Sequence, residues 1–522
     1  MLRRLPVDIS TFSELRKSGY VYVDKTEYAY KMITGGRRFF LSRPRRFGKS
    51  LLVSTLKEIL TAQNKQLFDD LWINKSDYHW QEYGVINLDF STFAVSNVIS
   101  LEDALRDELF IIAKDYKIDL DTSLKDSTLV LKHLVLTLYK QFGRVAVLVD
   151  EYDSPILKTL PNEELAKQVR DKIQQFFTTI KGLDEQIQFV FITGVSSFAK
   201  AGLFSGINNL QILTLNKQFA GICGYTDQEV DLYFTEHMYT WAKQEDIPYE
   251  RLRQQIKTWY NGYHFGNKVA AVYNPFSIMN ALHIQEFKNF WFQSGTPTFL
   301  VEILKKECVQ FDPEKLETTE NALGIFNVGN IPLIPLMFQA GYLTIVDYDP
   351  EIEIYKLDYP NLEVKKSFQK YLLEVFAHIN PTQAEILSAK LKAAFINSNI
   401  EEAVILIKQL FAHIPYQIHS KEEKFYHALL MMICVSAGIK AQSEYSISHG
   451  RIDLILDLPK LLYIIEIKFN KSAEIALEQI EERRYYERFI GENKPIILLG
   501  LAFKREPHNF DITYALKKLN NN

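Results

Sequence analysis

The sequence predicts an α/β protein with an N-terminal parallel sheet, a helical middle and a smaller C-terminal α/β domain. In residues 1–215, short apolar runs alternate with longer amphipathic stretches, a pattern typical of a parallel sheet covered by helices. Gly48-Lys49-Ser50 stands between an apolar strand and a helix. Near the other end, Asp453 and Glu466-Ile467-Lys468 fall on strands that a tight turn would pair. The chain therefore carries two candidate sites, far apart in sequence.

The first part is predicted to contain five strands and at least two long helices. Several of the strands are continuous apolar runs, as expected when helices cover both faces of a sheet. The predicted strands are 38–42, 85–90, 145–150, 189–193 and 211–215, and the helices are 49–61 and 163–181. We expect residues 1–215 to form one phosphate-binding domain of this kind.

The pattern of apolar residues changes twice in the rest of the chain. Residues 216–375 are predicted to form a helical lid, with a winged-helix unit at 331–357, and 376–412 a helical connector. The last part, 413–522, is predicted to be a separate α/β domain. Its expected elements are a helix at 421–437, strands at 439–448, 451–458 and 461–469, a helix capped by Ser472, and a last strand at 495–503.

The bulk composition excludes some classes of protein. Sixty basic and 64 acidic residues give a net charge of −4, so any contact with nucleic acid must use a local basic patch. The cysteines Cys223, Cys308 and Cys434 are widely spaced, which indicates neither a zinc site nor a disulfide framework. No signal peptide or membrane-length apolar run is apparent. We expect a cytoplasmic protein with no membrane partner.

The window 43–50 is a degenerate phosphate-binding loop. The usual pattern is glycine, four residues, then Gly-Lys-Ser/Thr, and here Arg43 replaces the first glycine. Lys49 can pair with the β- and γ-phosphates, Ser50 can ligate Mg²⁺, and the backbone of the turn can cradle phosphate oxygens. The predicted nucleotide-binding residues are Arg45, Arg46, Phe47, Gly48, Lys49, Ser50 and Leu51. Gly-Lys-Ser alone could also be a surface turn.

Two further strands support a nucleotide site. The apolar strand 145–150 ends in Asp150-Glu151, a Walker B arrangement in which Asp150 orders Mg²⁺ and Glu151 polarises the attacking water. The strand 189–193 ends in Thr193, where a polar residue can sense the γ-phosphate. The cofactors predicted are thus ATP and Mg²⁺. The arginines 43, 45 and 46 form either a solvated basic turn or additional phosphate clamps, and their place beside Gly-Lys-Ser favours clamps.

The second candidate site combines two carboxylates and an amine. Side chains alternate along a strand, so Glu466 and Lys468 share a face while Ile467 points the other way. A tight turn can bring Asp453 beside them. Asp453 and Glu466 can hold a hard cation such as Mg²⁺, and Lys468 can position a water. The alternative is a surface Glu/Lys pair on an edge strand, but the apolar run 461–465 favours a central strand.

Both ends of the chain resemble known families. The segment 41–50, with 149–153 and 193–196, resembles the bacterial AAA-ATPase-like family, whose P-loop carries an arginine at this place. The tail resembles the PD-(D/E)XK nuclease superfamily, which implies a restriction-endonuclease-like fold. It also implies a catalytic centre of Asp453, Glu466 and Lys468, with Glu423 or Glu444 as accessory residues. Gln479, on the following helix, is placed to reach this centre.

The resemblance implies an ATP-binding and ATP-hydrolysing module coupled to a Mg²⁺-dependent nuclease acting on nucleic acid, with DNA the favoured substrate. The catalytic residues would be Glu151 in the first site and the Asp453 centre in the second. The competing hypothesis is a nucleotide-regulated switch or scaffold whose tail binds nucleic acid or a protein partner without cutting. Many ATPases of this kind act between subunits, so a homo-oligomer stays open.

Overall fold

The computed structural model divides the chain into two compact units. The first lies within Met1–Leu300 and Leu316–Val364, and the second within Lys365–Asn522. The structure describes residues 2–197, 202–204, 207, 209–291, 316–323, 332–377, 381–412, 426, 427, 430, 431, 433, 434, 437–447, 450–490, 494–506 and 509–519. The finer domain boundaries expected from the sequence stay predictions.

The first unit is built on the predicted parallel sheet. Its five strands are all parallel and lie in the order β2-β3-β4-β1-β5. They are β1 Arg38–Ser42, β2 Gly84–Asp89, β3 Val145–Asp150, β4 Ile187–Gly194 and β5 Gln211–Ile212. Every residue of β1 and β3 is buried, as their continuous apolar sequences predict. The P-loop after β1 and the carboxylates after β3 therefore lie at the same sheet edge, on either side of β4.

Helices follow or precede each strand of this sheet. The helix Glu163–Gly182 shows why they form: Asn162 caps it by accepting a hydrogen bond from Leu165 N, and Val169, Ile173 and Phe176 recur on its buried side. The α-helices are Phe12–Lys17, Thr26–Gly35, Lys49–Thr61, Val98–Asp115, Ser127–Phe142, Ser154–Thr159 and Glu163–Gly182. Short 3₁₀ turns cover Lys65–Phe68, Trp72–Lys75, Phe90–Thr92 and Lys217–Phe219.

The remainder of the first unit is helical, as expected, and it also contains two small sheets. The helices are Asp227–Gln244, Tyr249–Tyr260, Pro275–Ile284, Glu320–Leu323 and Leu333–Ala340. The strands β6 Tyr225–Thr226 and β7 Val272–Tyr273 pair with each other, and β8 Glu317–Thr319, β10 Ile354–Asp358 and β9 Thr344–Asp349 form an antiparallel sheet in that order. The predicted helix and two strands of 331–357 are present. A winged-helix unit remains a prediction.

The second unit contains a mixed five-stranded sheet with helices packed against it. Its strands, in spatial order, are β11 Lys440–Ile447, β12 Gly450–Leu458, β13 Leu461–Phe469, β14 Ile496–Glu506 and β15 Asn509–Leu519. Only the β13–β14 pair is parallel. The helices are Leu362–Ala377, whose first three residues belong to the first unit, Pro381–Ile396, Ile400–Ala412 and Ala473–Glu482, with a 3₁₀ turn at Glu487–Phe489. The helix predicted at 421–437 lies largely outside the described residues, and those described within 426–434 are helical.

The prediction that 495–503 is the last strand is wrong. Strand β15 follows it and pairs antiparallel with β14 along its whole length. β15 is an edge strand in which apolar residues alternate with polar ones, and Tyr514 and Leu516 are each 37% exposed. A half-exposed edge strand lacks the continuous apolar run that identifies a central strand.

Strand β13 is central, as its apolar sequence predicts, and its two faces lie in different cores. Tyr463, Ile465 and Ile467 pack into a cluster that includes the helices Pro381–Ile396 and Ile400–Ala412. Leu462 and Ile464 face a second cluster beside the helix Ala473–Glu482. Since side chains alternate, Glu466 and Lys468 continue the face of this second cluster.

Candidate active sites

The P-loop leads from β1 into the helix Lys49–Thr61 through a tight turn. Arg46 and Gly48 have positive φ values of 66° and 87°. Gly48 has open space where a Cβ would lie, so the backbone conformation, rather than crowding, is what favours glycine there. No side chain caps the start of the helix. Its first N–H groups and the helix dipole are therefore available to an anion.

Arg43 does not clamp phosphate, contrary to the favoured prediction. Its side chain is 1% exposed, donates to the carbonyls of Ser42 (3.0 Å), Thr214 (2.8 Å) and Phe219 (3.3 Å), and lies 3.9 Å from the ring centroid of Phe265. These acceptors direct the guanidinium away from the phosphate cradle. Burial lowers the pKa of Arg43 to about 10. Arg43 thus replaces the usual glycine because its side chain leaves the loop.

The Walker B carboxylate Asp150 is joined to the end of β4. Its Oδ1 accepts a hydrogen bond from Thr193 Oγ1 at 2.5 Å, and Asp150 is 4% exposed. Burial raises the pKa of Asp150 above its usual range, and Glu151 adds to this, while hydrogen bonds from Ser50 and Thr193 act in the opposite direction. The structure thus brings Ser50, Asp150 and Thr193 together. These are the two predicted Mg²⁺ ligands and the predicted sensor.

Glu151 faces the P-loop lysine. Lys49 Nζ lies 3.3 Å from Glu151 Oε1 and also donates to the carbonyls of Arg43 and Pro44, both at 3.1 Å. Glu151 has φ of 51°, a conformation that a non-glycine residue rarely adopts. Main-chain hydrogen bonds from Tyr152 N to Thr193 O hold this strained turn. The Glu151 carboxylate is therefore held beside the Lys49 ammonium, next to the P-loop.

A cavity of about 530 Å³ opens beside this arrangement. That volume is within the range typical of small-molecule and cofactor sites. Its wall includes all of the predicted nucleotide-binding turn, residues 45–51, together with Glu151. Asp150 and Thr193 are buried behind the wall. The far side is largely apolar and includes Val21, Tyr225 and Met279.

Two lysines that line the cavity, Lys25 and Lys158, are not among the predicted nucleotide-binding residues. Lys25 donates to both carboxylate oxygens of Glu229, at 2.6 and 2.7 Å, and to Gly221 O at 2.8 Å. Lys158 lies on the helix Ser154–Thr159. Lys25 follows the run of alternating tyrosine and valine at 20–23, a pattern visible in the sequence. Nothing in the local sequence distinguishes Lys158 from a surface lysine.

The second site forms where β12 and β13 part. Their described pairing runs from Leu458↔Leu461 to Leu454↔Ile465 and goes no further. At the next position, Asp453 Oδ2 accepts a hydrogen bond from Ile467 N at 2.8 Å. The side chain of Asp453 thus replaces a main-chain acceptor and contacts the strand backbone at the residue between Glu466 and Lys468. The three predicted residues are brought together.

Glu466 is the most enclosed member of this group. It is 1% exposed, and its Oε1 accepts from Lys468 Nζ at 2.8 Å and from Gln479 Nε2. Gln479 comes from the helix Ala473–Glu482, as expected from the sequence. On the other side, His427 Nε2 contacts the main-chain carbonyl of Asp453. The site therefore has supporting contacts from two helices as well as two strands.

Comparisons with known proteins identify a family for each of the two parts of the chain that carry these candidate sites. Residues 6–204 match the family described as predicted AAA-ATPase, and residues 421–511 match the PD-(D/E)XK nuclease superfamily. A protein of Azotobacter chroococcum mcd 1, described as an uncharacterized protein in the vnfD 5′ region, is 34% identical over 523 residues, which is 97% of each chain. The chain belongs to the AAA-ATPase-like family. It ends in a PD-(D/E)XK nuclease superfamily domain.

Two solved structures are distantly similar to this AAA-ATPase-like chain. The Walker-type ATPase PABY2304 of Pyrococcus abyssi has a TM-score of 0.37 at 12% identity, over 71% of this chain and 98% of that one. The ORC2 protein of Aeropyrum pernix, in ADPNP and ADP complexes, has a TM-score of 0.31 at 12% identity, over 80% and 85% of the two chains.

The PD-(D/E)XK domain offers ligands that suit Mg²⁺. Mg²⁺ commonly uses one or two protein carboxylates and completes its shell with water and substrate phosphate. Asp453 and Glu466 supply two carboxylates at one end of the sheet. Within the described ranges, no group of three or more histidine, cysteine, aspartate or glutamate side chains is placed to hold a metal. The site fits a cation that retains water ligands.

Of the two predicted accessory carboxylates, the structure describes the backbone of one, Glu444. Glu423 lies outside the described residues. Glu444 is in β11, between Ser443 and Tyr445, whose partners in β12 are Leu454 and Ile452. Its backbone is therefore opposite Asp453.

No helix in the described part of the AAA-ATPase-like chain is both long enough and apolar enough to span a bilayer.

Proposed function

We propose that this chain binds and hydrolyses ATP in its first unit and cleaves nucleic acid in its second, with DNA as the favoured substrate. The nuclease proposal is carried by one observation: Asp453 bonds to the N–H of Ile467, between Glu466 and Lys468. The ATPase proposal is supported by the cavity that the P-loop and Glu151 share. ATP turnover in the first unit would control cutting in the second.

The residues of the ATP site have separable roles. Lys49 and the N–H groups of the turn bind the phosphates, while Ser50 and Asp150 hold Mg²⁺, which neutralises phosphate charge when bound. Glu151 orients the attacking water and accepts its proton. Thr193 keeps Asp150 in place through its hydrogen bond.

In the nuclease site, Asp453 and Glu466 would hold Mg²⁺. A bound Mg²⁺ lowers the pKa of a coordinated water and offsets charge on the phosphate under attack. Lys468 positions the attacking water beside the scissile phosphodiester. Gln479 fixes the orientation of the Glu466 carboxylate, because its amide donates to Oε1.

The test of the nuclease is cleavage of plasmid and of short DNAs and RNAs, with and without Mg²⁺ and ATP. Asp453→Asn removes a negative charge from the site, so we expect Mg²⁺-dependent cutting to fall by about 100-fold or more. Asp457→Asn is the matched control. It is on the same strand, where it forms ion pairs with Lys440 (2.7 Å) and Lys494 (2.6 Å), away from the site.

Retained cutting in Asp453→Asn would contradict the nuclease assignment. If the wild-type chain binds ATP but cuts no nucleic acid, the switch or scaffold hypothesis is favoured. Lys49→Ala addresses the ATP site separately, and we expect it to weaken ATP binding by about 10-fold or more. Unchanged affinity in that variant would show that the nucleotide binds elsewhere.

A further inference from the structure

Several basic side chains line the ATP cavity, and all but one have an evident role. Lys49 belongs to the P-loop, Arg45 lies in the same turn, and Arg46 lies 4.9 Å from the ring centroid of Phe276. Lys25 forms its ion pair with Glu229. Lys158 is the remaining cation of the described wall, and neither the P-loop nor the Walker B strand accounts for it.

Lys158 belongs to the end of the cavity where Glu151 lies. The helix Ser154–Thr159 begins three residues after Glu151, and Glu151, Ser154 and Lys158 all line the cavity. Ser154 and Lys158 are four residues apart, so they share one face of the helix. This helix face and the predicted catalytic residue Glu151 therefore form one part of the cavity wall.

The ammonium of Lys158 is anchored without being neutralised. Nζ donates to Ser91 O at 2.7 Å and to Phe93 O at 3.2 Å, on the segment that follows β2. Both acceptors are uncharged carbonyls, and no carboxylate in the described residues forms an ion pair with Lys158. An ammonium has three donors, so one remains for a ligand. A fixed positive charge at this place is suited to a negatively charged group in the cavity.

We propose that Lys158 is a further catalytic residue of the ATPase, contacting the γ-phosphate and stabilising the charge that develops there. This inference rests on the proposed ATP hydrolysis. In that reaction the water oxygen bonds to the γ-phosphorus as the bond to the β–γ bridging oxygen breaks. Glu151 accepts the water proton, and ADP leaves with the electron pair. Lys158 neither gains nor loses a proton. The stabilising charge is thus supplied by the same chain.

The test separates contact with the γ-phosphate from general damage to the site. Lys158→Met is compared with wild type for the affinity of ADP, the affinity of the β,γ-imido analogue of ATP, and ATP turnover. We expect ADP affinity to change less than about 2-fold and analogue affinity to fall about 10-fold. Turnover should fall about 10- to 100-fold, in keeping with the loss of one charge-stabilising group. Lys158→Arg should restore part of both.

Lys167→Met is the matched control, because Lys167 pairs with Glu163 on the next helix and does not line the cavity. It should behave as wild type. Equal losses for ADP and the analogue, or no loss for either, would overturn the role of Lys158. If the wild-type chain binds both nucleotides but hydrolyses no ATP, the role of Lys158 is decided by whether Lys158→Met weakens binding of the analogue more than binding of ADP. If wild type binds neither nucleotide, the proposed ATPase fails and the role of Lys158 fails with it.

Discussion

At the residue scale, the P-loop shows how an arginine can stand in place of a glycine while the loop keeps its conformation. Arg43 is directed to three carbonyls and an aromatic ring, whereas Arg45 and Arg46 line the cavity. Three arginines that look alike in sequence thus have different surroundings. The difference depends on Thr214 and Phe219, more than 170 positions away, which local sequence cannot reveal.

This difference predicts opposite effects for two matched substitutions. Arg43→Met leaves three carbonyls without their donor, so we expect the free energy of unfolding to fall by about 2–4 kcal/mol. Arg45→Met should leave stability within about 0.5 kcal/mol and weaken ATP binding. Urea denaturation and nucleotide titration measure the two effects. Equal stability of the two variants would contradict the buried role of Arg43.

Glu151 allows binding and hydrolysis to be separated. Glu151→Gln keeps the shape of the side chain but removes the group that accepts the proton of water, so turnover should fall about 100-fold or more. ATP affinity should be retained, because the substitution removes a negative charge near Lys49 that would repel the phosphates and leaves the Lys49 ammonium in place. Steady-state hydrolysis and equilibrium binding on the same preparation check this. Loss of binding would mean that Glu151 shapes the pocket instead.

At the element scale, one glycine allows a helix to approach the nuclease strands. Gly500 in β14 pairs with Glu466 in β13. A Cβ at Gly500 would lie 2.7 Å from Leu477 N and closer still to the carbonyl of Ala473. Both belong to the helix Ala473–Glu482, which also carries Gln479. The close approach of this helix is what brings Gln479 to Glu466.

Gly500→Ala should therefore affect both stability and the site. We expect it to destabilise the second unit by about 1–3 kcal/mol through overpacking. Mg²⁺-dependent cutting should also fall, since the displaced helix carries Gln479 away from Glu466. Gly182→Ala, where a Cβ meets nothing within 4 Å, is the control and should be neutral. Thermal denaturation and the cleavage assay provide the measurements, and unchanged values for Gly500→Ala would contradict this packing.

The elements differ in how far the sequence predicts them. β1, β3, β13 and the helix Lys49–Thr61 match their predicted bounds because a continuous apolar run or a strong helical period ends at a clear turn. β15 was missed because an edge strand needs only one buried face. The pairing of Asp453 with Ile467 N was beyond prediction in detail, since it depends on where β12 and β13 separate. The proximity of Asp453 to Glu466 and Lys468 was predictable from strand alternation together with the tight turn between the two strands.

At the scale of the whole molecule, a buried carboxylate of the first unit, Glu363, is joined to the P-loop through one tryptophan. Trp291 donates from Nε1 to Arg45 O at 3.1 Å and from its main-chain N to Glu363 Oε1 at 2.7 Å. Glu363 is in the first turn of the helix Leu362–Ala377, which continues into the residues of the second unit. Trp291 thus links the P-loop main chain to the Glu363 carboxylate within the first unit.

Glu363 also makes stability depend on pH. Burial raises its pKa from 4.5 to about 7, although the hydrogen bond from Trp291 N favours the ionised form. The folded chain holds this proton more tightly than the unfolded chain does, so stability falls as pH rises from about 4.5 to 7 and is level above that. At 1.36 kcal/mol per pH unit, the whole effect is about 3 kcal/mol.

Glu363→Gln should remove this contribution while keeping an acceptor for Trp291 N. Burial likewise raises the pKa of Asp153 to about 6, so wild type and variant must be compared at each pH. We expect the variant to gain about 2–3 kcal/mol relative to wild type between pH 5 and pH 7.5, measured as urea denaturation of the first unit. Glu317→Gln, at an exposed position of β8, should show no such gain. A constant difference between Glu363→Gln and wild type across this range would mean that Glu363 is ionised throughout the range and that its burial does not raise its pKa.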